Sequence, residues 1–136
     1  MTLELCRTIP IPTFEGKQGI LSVLECEKLL PFSIKRFFFI YHIPINTCRG
    51  SHAHRLDHEF VIALSGNFNI LLSDGKNEKN FKLDNPNIGL YVTPLIWIEL
   101  DSSSPGSIIF VAASTLYDAK DYIYDKNELM TLRNLK

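Results

Sequence analysis

Glu59-Phe60-Val61-Ile62-Ala63-Leu64-Ser65-Gly66-Asn67-Phe68-Asn69-Ile70-Leu71-Leu72-Ser73-Asp74-Gly75 is the stretch that decides the fold class. Two apolar runs, 59–64 and 68–72, are separated by Ser-Gly-Asn and closed by Asp-Gly. Short runs rich in β-branched and aromatic residues, bounded by such breakers, read as strands. Ser65-Gly66-Asn67 reads as a tight hairpin turn, and Asp74-Gly75 ends the second strand in the same way. Within the first run Phe60, Ile62 and Leu64 alternate with Val61 and Ala63, so both of its faces are apolar. One face of a small antiparallel sheet normally meets water. A two-layer sandwich with a subunit interface on its outer face would cover both, and a homodimer is expected on that ground.

The same pattern extends in both directions. Residues 20–24, 34–41, 89–92, 96–100 and 107–112 also read as strands, separated by Gly-, Pro- and Asn-containing breakers. Strands at this spacing predict an all-β sandwich or barrel. Only 126–135 looks helical, with Leu129, Leu132 and Leu135 spaced to form one stripe. The 136 residues contain no repeat or linker and are expected to form a single domain, 1–136. Fourteen basic against fifteen acidic residues leave a net charge of −1, which gives no footprint for nucleic acid. No apolar run approaches the ~20 residues of a membrane span, and the first residues do not read as a signal peptide. The odd set Cys6, Cys26 and Cys48 reads as reduced packing residues of a cytoplasmic protein.

Chemistry concentrates in Arg49-Gly50-Ser51-His52-Ala53-His54-Arg55-Leu56-Asp57-His58-Glu59, which holds three of the four histidines. On a strand, residues two apart share a face, so His52 and His54 converge on one pocket. Arg49 and Arg55 flank them, and a guanidinium suits phosphate oxygens. Glu59 opens an otherwise apolar strand and reads either as a pocket carboxylate or as a solvated strand end. His58 has the opposite parity and is expected outside the pocket. Arg36 and Phe38 share strand parity and would line one pocket wall. Trp97 is either a packing residue or a surface on which a sugar or base stacks.

The spacing His52-x-His54, four residues, Glu59, six residues, Gly66 resembles the first cupin motif. In cupins this stretch supplies two histidines and a glutamate to a divalent metal inside a β-barrel. Ile98 stands where the second cupin motif has its histidine. More of the chain is similar to one branch of these proteins. The segments 31–36, 49–54, 64–66, 89–94 and 113–123 occur in order, and over roughly 14–125 the sequence resembles the sugar 3,4-ketoisomerase family. Its most specific parts here are Arg49-Gly50-Ser51-His52-Ala53-His54 and Tyr117-Asp118-Ala119-Lys120-Asp121-Tyr122-Ile123.

That resemblance implies a cupin jelly roll with a short C-terminal helix, a homodimer and no cofactor or metal. It implies isomerisation of a dTDP-linked 4-keto-6-deoxyhexose, on the way to bacterial surface sugars such as those of lipopolysaccharide. His52 would be the base at C3 and His54 its orienting or relaying partner. Arg36, Phe38, Arg49, Arg55, Glu59 and Trp97 would contact substrate, and Tyr117, Asp118, Asp121 and Tyr122 would fix the C-terminal turn or a dimer contact. Three positions depart from the family. Phe38 replaces a tyrosine proposed as an acid/base partner, Glu59 stands where glutamine is usual, and Ile98 replaces a polar residue. Two rival readings follow, a metal-dependent cupin using His52, His54 and Glu59, and a nucleotide-sugar-binding module without chemistry.

Overall fold

The structure, a computed structural model, describes residues 2–25 and 28–134. Twelve strands follow in chain order: β1 (Arg7–Pro10), β2 (Thr13–Gly16), β3 (Gly19–Ser22), β4 (Arg36–Ile40), β5 (Cys48–His54), β6 (Glu59–Ser65), β7 (Phe68–Ser73), β8 (Glu78–Leu83), β9 (Ile88–Val92), β10 (Trp97–Ser102), β11 (Ile108–Ala113) and β12 (Tyr122–Ile123). One short helix, α1 (Lys126–Leu132), ends the described chain. Two five-stranded sheets face each other, ordered β1-β9-β6-β11-β4 and β12-β5-β10-β7-β8, and β2 with β3 forms a separate hairpin. This is the jelly-roll arrangement the strand pattern predicts.

The 65–67 turn differs from expectation. It does not close a hairpin, because β6 pairs with β9 and β11 while β7 pairs with β8 and β10. Ser65-Gly66-Asn67 instead carries the chain from one sheet to the other. Gly66 has φ 83°, and a Cβ there would lie 2.2 Å from the Ser107 hydroxyl. The Ser104 hydroxyl accepts from Asn67 N at 2.9 Å, so a serine cluster anchors the corner. Asp74-Gly75 does turn β7 into β8, with Asp74 Oδ1 accepting from the amides of Lys76 and Asn77.

The inner core lies between the sheets, where Val61, Ala63, Leu90, Ile109 and Val111 meet Ile70, Leu72, Ile98 and Leu100. The other face of β6 is covered by the chain itself. Phe60 and Ile62 pack with Ile11, Leu24, Leu30, Phe32 and Ile34, so their apolar character needs no second subunit. Phe37, Phe39 and Leu64 remain exposed on that side. The outer face of the second sheet carries Ala53 and Trp97, covered by Ile123 and Leu129. Leu129 is buried but Leu132 is 45% exposed, so the predicted stripe docks through one leucine. Cys6 is buried and Cys48 is exposed, so Cys48 is not the packing residue expected of it. Cys26 and Leu135 lie outside the described residues.

Gly89 shows how tightly the outer layer fits. It sits opposite Ile62 on β9, and a Cβ there would fall 2.2 Å from the fully buried ring of Phe60. Gly89→Ala should therefore cost about 3 kcal/mol through overpacking, read as a lower urea midpoint. An unchanged midpoint would mean that the ring can move.

Candidate active site

β5 supplies the site, and a bulge in it sets the geometry. Arg49 pairs with Leu100 and His52 with Ile98, so two residues of β5 oppose one step of β10 between Gly50 and His52. Regular alternation would put residues 49 and 52 on opposite faces. The extra residue brings Arg49 and His52 to the same inward face. Gly50 and Ser51 carry φ of 87° and 51° to make the bulge. Gly50 has a second constraint, because a Cβ would lie 2.9 Å from the Ile98 carbonyl oxygen.

The resulting cavity, of about 250 Å³, runs between the sheets. Arg49, His52, Glu59, Tyr122 and Tyr124 are its polar lining, and Phe38, Val61, Ile98 and Val111 are among its apolar walls. His52 Nε2 lies 3.2 Å from His54 Nε2, and the rings meet edge to face. On the far side, His54 Nδ1 lies 2.9 Å from Asp121 Oδ2. The other Asp121 oxygen accepts from Leu56 N at 2.7 Å. An aspartate that accepts at both oxygens fixes the His54 proton on Nδ1 and leaves Nε2 as a lone pair toward His52.

Electrostatics favour neutral imidazoles. Burial lowers the His52 pKa below its usual value, opposed by a hydrogen bond with the Gly50 backbone and assisted by the Arg49 charge. Burial and the charge of His52 lower that of His54, against the opposing pull of Asp121. Glu59 is pushed up to about 8, first by burial and then by the Asp57 charge, with Arg36 opposing. Its Oε2 has no hydrogen-bond partner and lies 3.5 Å from His54 Nε2.

Of the residues expected at the site, His52, His54, Arg49, Glu59 and Phe38 come together. Arg36 sits behind them, its Nη2 3.1 Å from Asp57 Oδ2 and its guanidinium over Phe38. Asp57 is committed elsewhere too, accepting from Ser114 Oγ and Thr115 N. Arg55 and Trp97 are not brought into the pocket. Arg55 points outward and donates to the carbonyls of Lys120 and Tyr122 and to Glu128. Trp97 alternates with Ile98 on β10, so it packs beneath α1 and donates Nε1–H to Glu99. His58 lies outside, its Nδ1 2.8 Å from the Tyr91 hydroxyl.

The family resemblance gives Asp121 and Tyr122 a part in the C-terminal turn or a dimer contact. The structure puts Asp121 on His54 and Tyr122 on the pocket wall, 4.5 Å from the His54 ring centre to centre. Tyr124, stacked on Tyr122, was not singled out at all. Pairing of β12 with β5, which sets Tyr122 opposite His54, brings these residues in. Two residues form no periodic signal, and only the Asp-Tyr-Ile run marked them.

A jelly roll whose inner cavity is floored by paired histidines defines a cupin-like protein. The family model described as FdtA: WxcM-like, C-terminal matches residues 4–134, and the chain belongs to that family. It is 38% identical over 106 residues to the TDP-4-oxo-6-deoxy-alpha-D-glucose-3,4-oxoisomerase of Aneurinibacillus thermoaerophilus, covering 78% of this chain and 76% of the relative. The sugar 3,4-ketoisomerase QdtA of Thermoanaerobacterium thermosaccharolyticum, solved in complex with TDP, is similar at 32% identity and TM-score 0.93, covering 98% and 97% of the two chains. The TDP-quinovose 3,4-ketoisomerase WlaRB of Campylobacter jejuni is 36% identical with TM-score 0.90, covering 95% of this chain and 99% of its own.

Proposed function

We propose that the chain is a sugar-nucleotide 3,4-ketoisomerase that moves the carbonyl of a dTDP-linked 4-keto-6-deoxyhexose between C4 and C3. The observation that carries this reading is the line Asp121–His54–His52, which ends inside a pocket that also holds Arg49. The family relatives support the reaction class and the nucleotide.

The C4 carbonyl acidifies the proton on C3. A neutral His52 accepts that proton as the electron pair forms the C3–C4 double bond and charge moves to O4. Protonation of O4 gives the enediol. Loss of the O3 proton and delivery of a proton to C4 leave the ketone at C3, with no net change in protons. A base with a pKa near or below neutrality suits the first step. His54 holds the His52 ring and passes a proton across the 3.2 Å contact, with Asp121 fixing its tautomer. Arg49 meets the diphosphate. Tyr122 and Tyr124 offer hydroxyls along the pocket wall, where Phe38 has none.

The protein acts as a homodimer in the cytoplasm, making deoxysugars for bacterial surface polysaccharides. The free thiols of Cys6 and Cys48 support the compartment, and the family resemblance supports the pathway. Exposed Phe37 and Phe39 on the edge strand β4, with Phe14, Ile20 and Leu21 on the hairpin, support the dimer.

Proton NMR of dTDP-4-keto-6-deoxyglucose in D₂O tests the reaction. Wild type should produce 3-keto signals with deuterium at C4, and His52→Ala neither. Broadened but unchanged substrate signals with wild type would favour the binding module instead.

A further inference from the structure

Moving a carbonyl from C4 to C3 handles protons of two kinds. One leaves C3 and one arrives at C4, and His52 stands at that exchange. The others sit on oxygen, where O4 gains a proton and O3 loses one. Geometry separates the two tasks. The C3 proton leaves along the face of the sugar, so that its electron pair can join the carbonyl π system. The lone pairs of O4 lie in the carbonyl plane. A base poised over the face therefore does not serve the oxygens, and a second group must stand beside it at the edge of the sugar. C3 and C4 belong to one ring, so O3 and O4 are cis in the enediol and share that edge. One hydroxyl can serve both.

Among the described residues that line the cavity, His52, Glu59, Tyr122 and Tyr124 can exchange a proton with an oxygen. His52 is engaged at carbon. Glu59 turns Oε2 to His54, 3.5 Å from Nε2, and that oxygen is buried. Tyr124 is 68% exposed, with its ring centre 6.1 Å from that of His52. Tyr122 is half-buried and lies against both histidines, with ring centres 5.1 Å from His52 and 4.5 Å from His54. The pairing of β12 with β5 holds it there. Its hydroxyl is uncommitted. Among the described residues it makes no hydrogen bond, whereas the Tyr91 hydroxyl is bound to His58. A phenol both donates and accepts, and it keeps its proton at neutral pH. Burial raises the Tyr122 pKa further, against the charge of Arg36. The same charge steadies a transient phenolate.

We infer that the Tyr122 hydroxyl carries the proton between the two sugar oxygens. As His52 takes the C3 proton, the Tyr122 O–H bond breaks and an O4–H bond forms. The enediol then stands beside a tyrosinate. The O3–H bond breaks toward that tyrosinate as the C3 carbonyl forms. The electron pair of the C3–C4 double bond takes a proton from His52 at C4, and Tyr122 is restored. Nothing in the protein is oxidised or reduced. The inference rests on the isomerase reading and supplies the group that exchanges protons at oxygen.

Steady-state kinetics with dTDP-4-keto-6-deoxyglucose, and binding of TDP alone, test it on the full chain. Tyr122→Phe deletes one oxygen and keeps the ring contacts. It should lower kcat by ~10²–10⁴-fold while TDP binding is unchanged. Phe38 lines the cavity from β4 in the facing sheet, so Phe38→Tyr returns a hydroxyl to the same space. A double variant carrying Tyr122→Phe and Phe38→Tyr should regain at least ~10-fold in kcat, which a purely structural Tyr122 would not allow. A Tyr122→Phe kcat within about threefold of wild type overturns the inference. So does a double variant no faster than Tyr122→Phe alone. If wild type leaves the sugar unchanged, the isomerase reading fails and this one fails with it. If wild type turns over and Tyr122→Phe matches it, only the role of Tyr122 fails.

Discussion

His52→Asn should lower kcat by ~10²–10⁴-fold while the sugar nucleotide still binds. Removing a general base takes away the step it performs, whereas Arg49 and the cavity walls remain to hold the ligand. The pH profile separates this from simple damage. His52 must be neutral to accept a proton, and burial sets its pKa below the usual 6.5. Wild-type kcat/KM should therefore hold its plateau below pH 6.5 and fall only as pH drops through the lowered value. The residual rate of the variant should lack that limb. A variant with near-wild-type kcat, or one that keeps the same acid limb, would remove His52 from the chemistry.

In metal-free protein, Glu59→Gln should be more stable than wild type at pH 8 by roughly 2–4 kcal/mol, with the difference vanishing toward pH 5. Burial raises the Glu59 pKa from 4.5 to about 8. Between those values the folded protein holds a proton that the unfolded chain has lost, so stability falls as pH rises. The neutral carboxyl makes its full contribution below about 4.5, and that contribution is lost as pH passes through 8. Glutamine has nearly the same shape and does not titrate. Urea unfolding of both proteins from pH 5 to 8.5 measures the divergence. Parallel curves would mean that Glu59 finds a partner when ionised.

The strands were legible where the chain is apolar. Runs 59–64, 68–72 and 107–112 fall on β6, β7 and β11 within a residue or two; β6 is buried on both faces from Glu59 to Ala63, whereas β7 buries Phe68, Ile70 and Leu72 on one face. β8 was not legible, since Glu-Lys-Asn-Phe-Lys-Leu is a half-solvated edge strand whose lysines discourage further pairing. Strand β1 is short and ends in proline, and β2 is mostly exposed. Pairing partners were hidden for another reason. A Ser-Gly-Asn corner looks the same whether it folds a hairpin or crosses between sheets, and the residues that pack against it, Ser104 and Ser107, lie far along the chain. At the site, the His-x-His spacing was readable from strand geometry. The alignment of Arg49 with His52 was not, because a bulge shifts the parity that sequence reasoning assumes. Trp97 shows the converse, since its neighbour Ile98 took the inward face.

The contribution of β12 has a consequence in time. Asp121, Tyr122 and Tyr124 follow strands β1 to β11 in the chain. During synthesis from the N-terminus, the residues of those eleven strands are therefore made first. A nascent barrel then carries its histidine pair without the aspartate that fixes the His54 tautomer and without one wall of the cavity. Chemical competence arrives only when Arg55 grips the carbonyls of Lys120 and Tyr122. The fold thus separates the birth of the scaffold from the birth of the catalyst.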